Sequence, residues 1–208
     1  MFKDCNSLTN IDLSNFNTKN VIYMSDLFRG CKSLTNFNIS KFNTENVAHM
    51  NGMFYDCNSL TKIDLSHFKT EKVISMGSMF CGCNSLKTID LSNFKTPNLN
   101  YLSYMFARCT SLTNIDLSSF NTEEVNDMGS MFEKCKSLIN IDLSNFKTDK
   151  VTCMDNMFYG CNSLTHVDLS NFTTKQVIFM QNMFYGCNSL IKKTIISKKK
   201  KLVINNNW

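Results

Sequence analysis

Apolar residues return along this chain at a fixed interval. The stretch that opens at Met53-Phe54 reads MFYDCNSLTKIDLSHFKTEKVISMGS, and the next opens at Met79-Phe80 on the same pattern, 26 residues later. Cysteines fall at 5, 31, 57, 83, 109, 135, 161 and 187, and the pair Ser7-Leu8 recurs at the same offset as far as Ser189-Leu190. A repeat of this length predicts a solenoid, in which each unit stacks only on its neighbours and no single closed core exists.

Within a unit the first predicted element is a short strand. Ile11-Asp12-Leu13-Ser14, Ile63-Asp64-Leu65-Ser66, Ile89-Asp90-Leu91-Ser92 and their equivalents alternate apolar with polar residues, so one face is buried and the other wet. Seven copies in one register predict a parallel sheet with strands about 4.8 Å apart. A phenylalanine row follows (Phe16, Phe42, Phe68, Phe94, Phe120, Phe146, Phe172), expected to stack ring on ring. Two residues on stands a threonine row (Thr18, Thr44, Thr70, Thr96, Thr122, Thr148, Thr174), read as helix N-caps, with Pro97 at a first helical position. Val21, Met24, Leu27, Phe28 and Cys31 then form one apolar stripe at helical spacing. The expected architecture is a right-handed α/β solenoid of about seven rungs, with parallel strands inside the curve and short helices outside.

The ends qualify this picture. Met1-Phe2 shares the phase of Met53-Phe54, so the array is expected to open in mid-unit, without an N-terminal cap. Residues 1–190 are expected to form the solenoid. In residues 191–208 Lys193 breaks the eighth strand, Ile195 fits it, and a lysine run follows; this part is expected to be a degenerate last rung and basic tail. The formal charge of +5 lies in that tail, since the rest comes to about −1 without its six lysines. The repeat body therefore lacks the basic footprint of a nucleic-acid binder. No apolar run approaches the length of a membrane span, and no secretory signal is visible.

The order Cys57, Leu60, Ile63, Leu65, Phe68 resembles a leucine-rich repeat in which phenylalanine takes the place of the usual asparagine. With the trailing Thr-x-x-Val-x-x-Met-x-x-Met-Phe, as from Thr122 to Phe132, the unit is similar to the 26-residue bacterial surface-protein repeat of BspA-like leucine-rich-repeat proteins. The resemblance covers about residues 1–190. It implies a curved solenoid at a cell surface or outside the cell, binding host, matrix or neighbouring-cell proteins.

Candidate chemistry is sparse. Eight of the ten cysteines share one phase on the apolar stripe, which suits buried thiols; disulfides between rungs are the alternative, and a single column is poorly arranged for a four-ligand zinc site. His49, His67 and His166 fall at different phases, cannot meet as a catalytic set, and are expected to be exposed. The acids recur in every rung, so no rung stands out as an active site, and neither a catalytic residue nor a cofactor or metal is expected. The candidate binding residues are Asp12, Asp64, Asp90, Asp116, Asp142 and Asp168, with Ser66, Ser92, Ser118 and Ser144 beside them, on the concave face. Two readings of that row stay open: local hydrogen bonding with hydration, or a stripe that meets a basic partner or cations. The functional expectation is a non-enzymatic adhesion or protein-binding module; the alternative is a structural or intracellular interaction scaffold.

Overall fold

The computed structural model describes residues 1–191 and the backbone of residues 195–196. Each 26-residue unit is one rung of a solenoid, and its apolar rows merge into a continuous core. In the rung from Leu60 to Leu86, the side chains of Leu60, Leu65, Phe68, Val73, Met76, Met79, Phe80, Cys83 and Leu86 are all buried. The Met-Phe stripe is therefore core, as its spacing implies.

The expected helices are absent from the described residues. From Met76 to Cys83 the amides divide into two sets. Met76, Ser78, Phe80 and Gly82 donate to the carbonyls of Tyr101, Ser103, Met105 and Ala107 in the next rung, at 2.8–3.1 Å. Met79, Cys81 and Cys83 donate back three residues, to Met76, Ser78 and Phe80. An α-helix closes each N–H on the carbonyl four residues back, leaving none to reach sideways. Here every second amide reaches sideways and the intervening ones close tight turns. Two left-handed residues per rung make this possible: positions 26 and 30, 52 and 56, 78 and 82, 104 and 108, and so on to 182 and 186, all with φ between 54° and 78°. Gly30, Gly82, Gly160 and Gly186 thus sit inside a repeated double turn, not at a helix end.

The threonine row is likewise not a set of helix caps. Thr18, Thr44, Thr70, Thr96, Thr122 and Thr148 are buried, and each hydroxyl bridges to the next rung. Thr148 Oγ1 donates to the Thr173 carbonyl at 3.0 Å and accepts from the Thr173 amide at 2.8 Å, and the same pair of bonds joins Thr70 to Lys95. Pro97 occupies the second position of a turn closed by the Leu99 amide on the Thr96 carbonyl, where its fixed φ is favoured.

The sheet is more restricted than expected. Strands β1 (Asn140–Asp142), β2 (His166–Asp168) and β3 (Ile195–Ile196) pair in parallel in the order β1-β2-β3. The equivalent segments of earlier rungs follow the same course without forming strands. The uninterrupted ladder runs elsewhere, through parallel bridges joining Tyr23, His49, Ser75, Tyr101, Asp127, Cys153 and Phe179 in turn. Where Ile141 pairs Val167 at the 26-residue offset, Val167 pairs Ile195. The last rung has therefore shifted by two residues, and Ile195 holds the paired position; Lys193 lies outside the described residues. The lysine run from 198 lies outside the described residues.

Ring stacking also falls in a different row from the one expected. Phe2, Phe28, Phe54, Phe80, Phe106, Phe132, Phe158 and Phe184 form one column, with centroids 5.4–5.9 Å apart and planes within 11°. In the Phe16 row, Phe94 and Phe120 stack at 6.1 Å. Offset aromatic contacts of this kind add about 0.5–1.5 kcal/mol each beyond burial.

Candidate functional site

The aspartate row owes its geometry to the turn that ends each Ile-Asp-Leu-Ser segment. Oδ1 of Asp12, Asp64, Asp90, Asp116, Asp142 and Asp168 accepts the amide of the serine two residues on, at 2.8–2.9 Å. Asn38 does the same for Ser40 in the one rung that lacks the acid. This Asx turn fixes each side chain at the corner of its rung. Five successive rungs, from Asp64 to Asp168, hold an acid there. Asp64, Asp90, Asp116 and Asp142 are exposed and Asp168 is half-exposed. Hydrogen bonds from the serine amide and hydroxyl hold the carboxyls of Asp12, Asp64, Asp90, Asp116 and Asp142 below the usual range, so they are ionised at neutral pH. Ser66, Ser92 and Ser118 are exposed beside them and Ser144 is half-exposed. The structure therefore brings every one of these candidates into a single row. It also supplies the local hydrogen bond that one of the two open readings called for.

The cysteine column is buried from Cys31 to Cys187, as its phase implies, whereas Cys5 in the first unit is exposed; all the thiols are free. Each buried thiol of the column donates to a phenylalanine carbonyl 29 residues earlier, as from Cys83 to Phe54 and from Cys135 to Phe106, at 3.2 and 3.0 Å. Burial pushes the thiols of Cys57 and Cys187 up to about 12, and those of Cys83, Cys109, Cys135 and Cys161 rise for the same reason. Thiols in this state are poor nucleophiles, since the thiolate is the reactive form.

The histidines lie in separate columns, but only His166 is exposed. His67 is half-buried, its Nε2 2.9 Å from the Ile39 carbonyl and its ring edge-on to Phe68. His49 is also half-buried and stacks on Tyr23 at 4.8 Å. The Ile39 carbonyl at His67 and the Tyr23 ring at His49 both come from the preceding rung, which spacing within one unit does not reveal. Among the described residues no group of three or more histidines, cysteines and acids is arranged to hold a metal, and no helix is long and apolar enough to cross a membrane.

A feature that sequence reasoning missed is a polar cluster on the double turn. Arg108 Nη2 lies 3.0 Å from Tyr55 Oη and from Asp56 Oδ1 and 3.5 Å from Cys81 Sγ, spanning two rungs. Arg29 stacks on the other reachable part of the same tyrosine, 4.2 Å from the Tyr55 ring centre. The departure of Arg108 from glycine at a left-handed position, with φ 61°, was the available signal.

The family described as "Mycoplasma protein of unknown function, DUF285" matches residues 1–115 and 100–205. The chain belongs to that family. No curated protein matches it. Among solved structures, a leucine-rich-repeat protein of T. pallidum, TpLRR, is similar over 96% of this chain and 79% of its own, at 20% identity and a TM-score of 0.58. A leucine-rich-repeat protein of Bacteroides ovatus shares 20% identity over 91% of this chain and 63% of its own, with a TM-score of 0.35. A leucine-rich cell surface protein of Faecalibacterium prausnitzii shares 15% identity over 88% and 79%, with a TM-score of 0.28. This member of the family is thus a solenoid of leucine-rich-repeat type, and the likeness read from Cys57 to Phe68 holds at the level of fold.

Proposed function

We propose that the chain is a non-enzymatic protein-binding module of a cell surface, and that the Asp/Ser row is its contact face. The observation that carries this reading is the run of five carboxylates, Asp64 to Asp168, each held by one oxygen on its own Asx turn, the first four exposed and the last half-exposed. Neighbouring charges about 5 Å apart repel by about 0.8 kcal/mol even at the dielectric of water, and a basic partner relieves that repulsion. Serines flank the row and can donate or accept. The partner expected is a host, matrix or neighbouring-cell protein that presents a basic strip of matching pitch.

An exposed row that crosses successive rungs suits an extended basic surface better than a small enclosed ligand. The test is a pull-down against extracellular-matrix proteins, followed by titration of any protein captured with Asp90, Asp116 and Asp142 all changed to Asn. Asparagine keeps the turn, as Asn38 does, and removes the charge. Binding weakened in the variant and at high salt supports the face; affinity unchanged in the variant removes it.

A further inference from the structure

The double-turn surface breaks its pattern at one place. The residue after the repeated Phe is a long side chain in most rungs: Lys3, Arg29, Tyr55, Glu133, Tyr159 and Tyr185. Between Tyr55 and Glu133 two successive rungs carry Cys81 and Ala107 instead, and these lie at the floor of a notch, 3% and 1% exposed. Its walls are Tyr55, Ser78, Tyr104, Arg108 and Glu133, and the space they bound is about 370 Å³. That is within the range of small-molecule clefts, about 300–1,000 Å³.

The charges in the walls are already balanced. Arg108 pairs with Asp56 at 3.0 Å and Glu133 with Lys134 at 3.0 Å. A charged guest would have to compete with one of these pairs, so the notch favours a neutral one. The remaining chemistry is mixed: tyrosine and serine hydroxyls that donate and accept, a carboxylate that accepts, and guanidinium hydrogens that donate. Tyr104 adds a ring that is 47% exposed at the rim. The face of an aromatic ring is electron-rich and attracts polarised C–H groups. A ring carrying hydroxyls around its edge and C–H groups on its face matches all three features. We propose that this notch binds a neutral sugar residue at the end of a glycan. It shares no residue with the aspartate row, so either site can fail without the other.

The test uses the intact chain on an array of neutral, sialylated and sulfated oligosaccharides, followed by calorimetric titration of the best neutral glycan. Tyr104→Ala removes the platform, and Ala107→Arg fills the notch with a side chain the fold accepts at the equivalent Arg29. Each is expected to weaken binding by about tenfold or more, the upper range of one aromatic contact. The Asp90, Asp116 and Asp142 triple variant is expected to bind the glycan as the native chain does. Absence of any neutral glycan bound, a preference for acidic glycans, or full affinity in Ala107→Arg overturns the assignment.

Discussion

Replacing Thr148 by valine tests the bonding between rungs at a single point. Valine has nearly the shape of threonine but no hydroxyl, and the site is fully buried. The change strips the Thr173 carbonyl of its donor and the Thr173 amide of its acceptor, now bonded at 3.0 and 2.8 Å. Leaving a buried polar group without a partner costs about 1–3 kcal/mol, so two such groups cost about 2–6 kcal/mol. The extra apolar carbon returns about 1 kcal/mol, which leaves a net loss of about 1–5 kcal/mol. In a solenoid that loss is concentrated at one interface between rungs. Urea unfolding should register a lower midpoint, and hydrogen exchange should show the Thr173 amide losing protection more than amides several rungs away. Thr148→Ser keeps the hydroxyl and should lose much less. Equal losses from Thr148→Ser and Thr148→Val, or no loss from valine, would refute the idea that the hydroxyl joins the rungs.

Three further outcomes are expected. Asp90→Asn should leave thermal stability nearly unchanged because asparagine supports the same Asx turn, whereas Asp90→Ala should lower it, as paired melting curves would show. Gly82→Ala should destabilise by about 1–2 kcal/mol, read from urea midpoints, since alanine at φ 78° is strained and its Cβ meets the Asp56 carboxylate. The thiol column predicts a loss of stability on the alkaline side. An unfolded thiol ionises near 9, while those of Cys57 and Cys187 wait until about 12 in the fold. The folded state therefore binds more protons between these values, and stability present below pH 9 should fall as pH rises toward 12. A melting temperature that is flat across that window would contradict the burial of the column.

The repeat, the core rows and the aspartate row were all legible in the sequence because strict periodicity superposes equivalent residues whatever path the chain takes between them. The helices were misread because Val21, Met24, Leu27, Phe28 and Cys31 have a spacing that a pair of tight turns satisfies as well. The distinguishing signal lay in chain positions 26 and 30 and their equivalents in later rungs, where Gly, Asp, Asn and Ser dominate among the left-handed residues. Four-residue spacing of such residues disfavours a helix, but the pattern is blurred by Tyr104, Arg108 and Lys134. The capping role assigned to Thr18 and its equivalents failed for a related reason. A buried hydroxyl in a stacked array can find its partners one rung away, and nothing within a single unit indicates that. The notch at Cys81 and Ala107 was illegible because it arises from side-chain lengths compared across four rungs.

The central claim is that the double turn sends alternate amides to the next rung, and NMR can observe those bonds directly. In a deuterated, isotope-labelled sample, scalar couplings across hydrogen bonds should connect the amide nitrogens of Phe54, Phe80, Phe106 and Phe132 to the carbonyl carbons of Met79, Met105, Met131 and Met157, whose N–H···O distances are 2.9 Å. Couplings from these amides to carbonyls four residues earlier would mean that the segment is helical and that the rungs are held together in some other way.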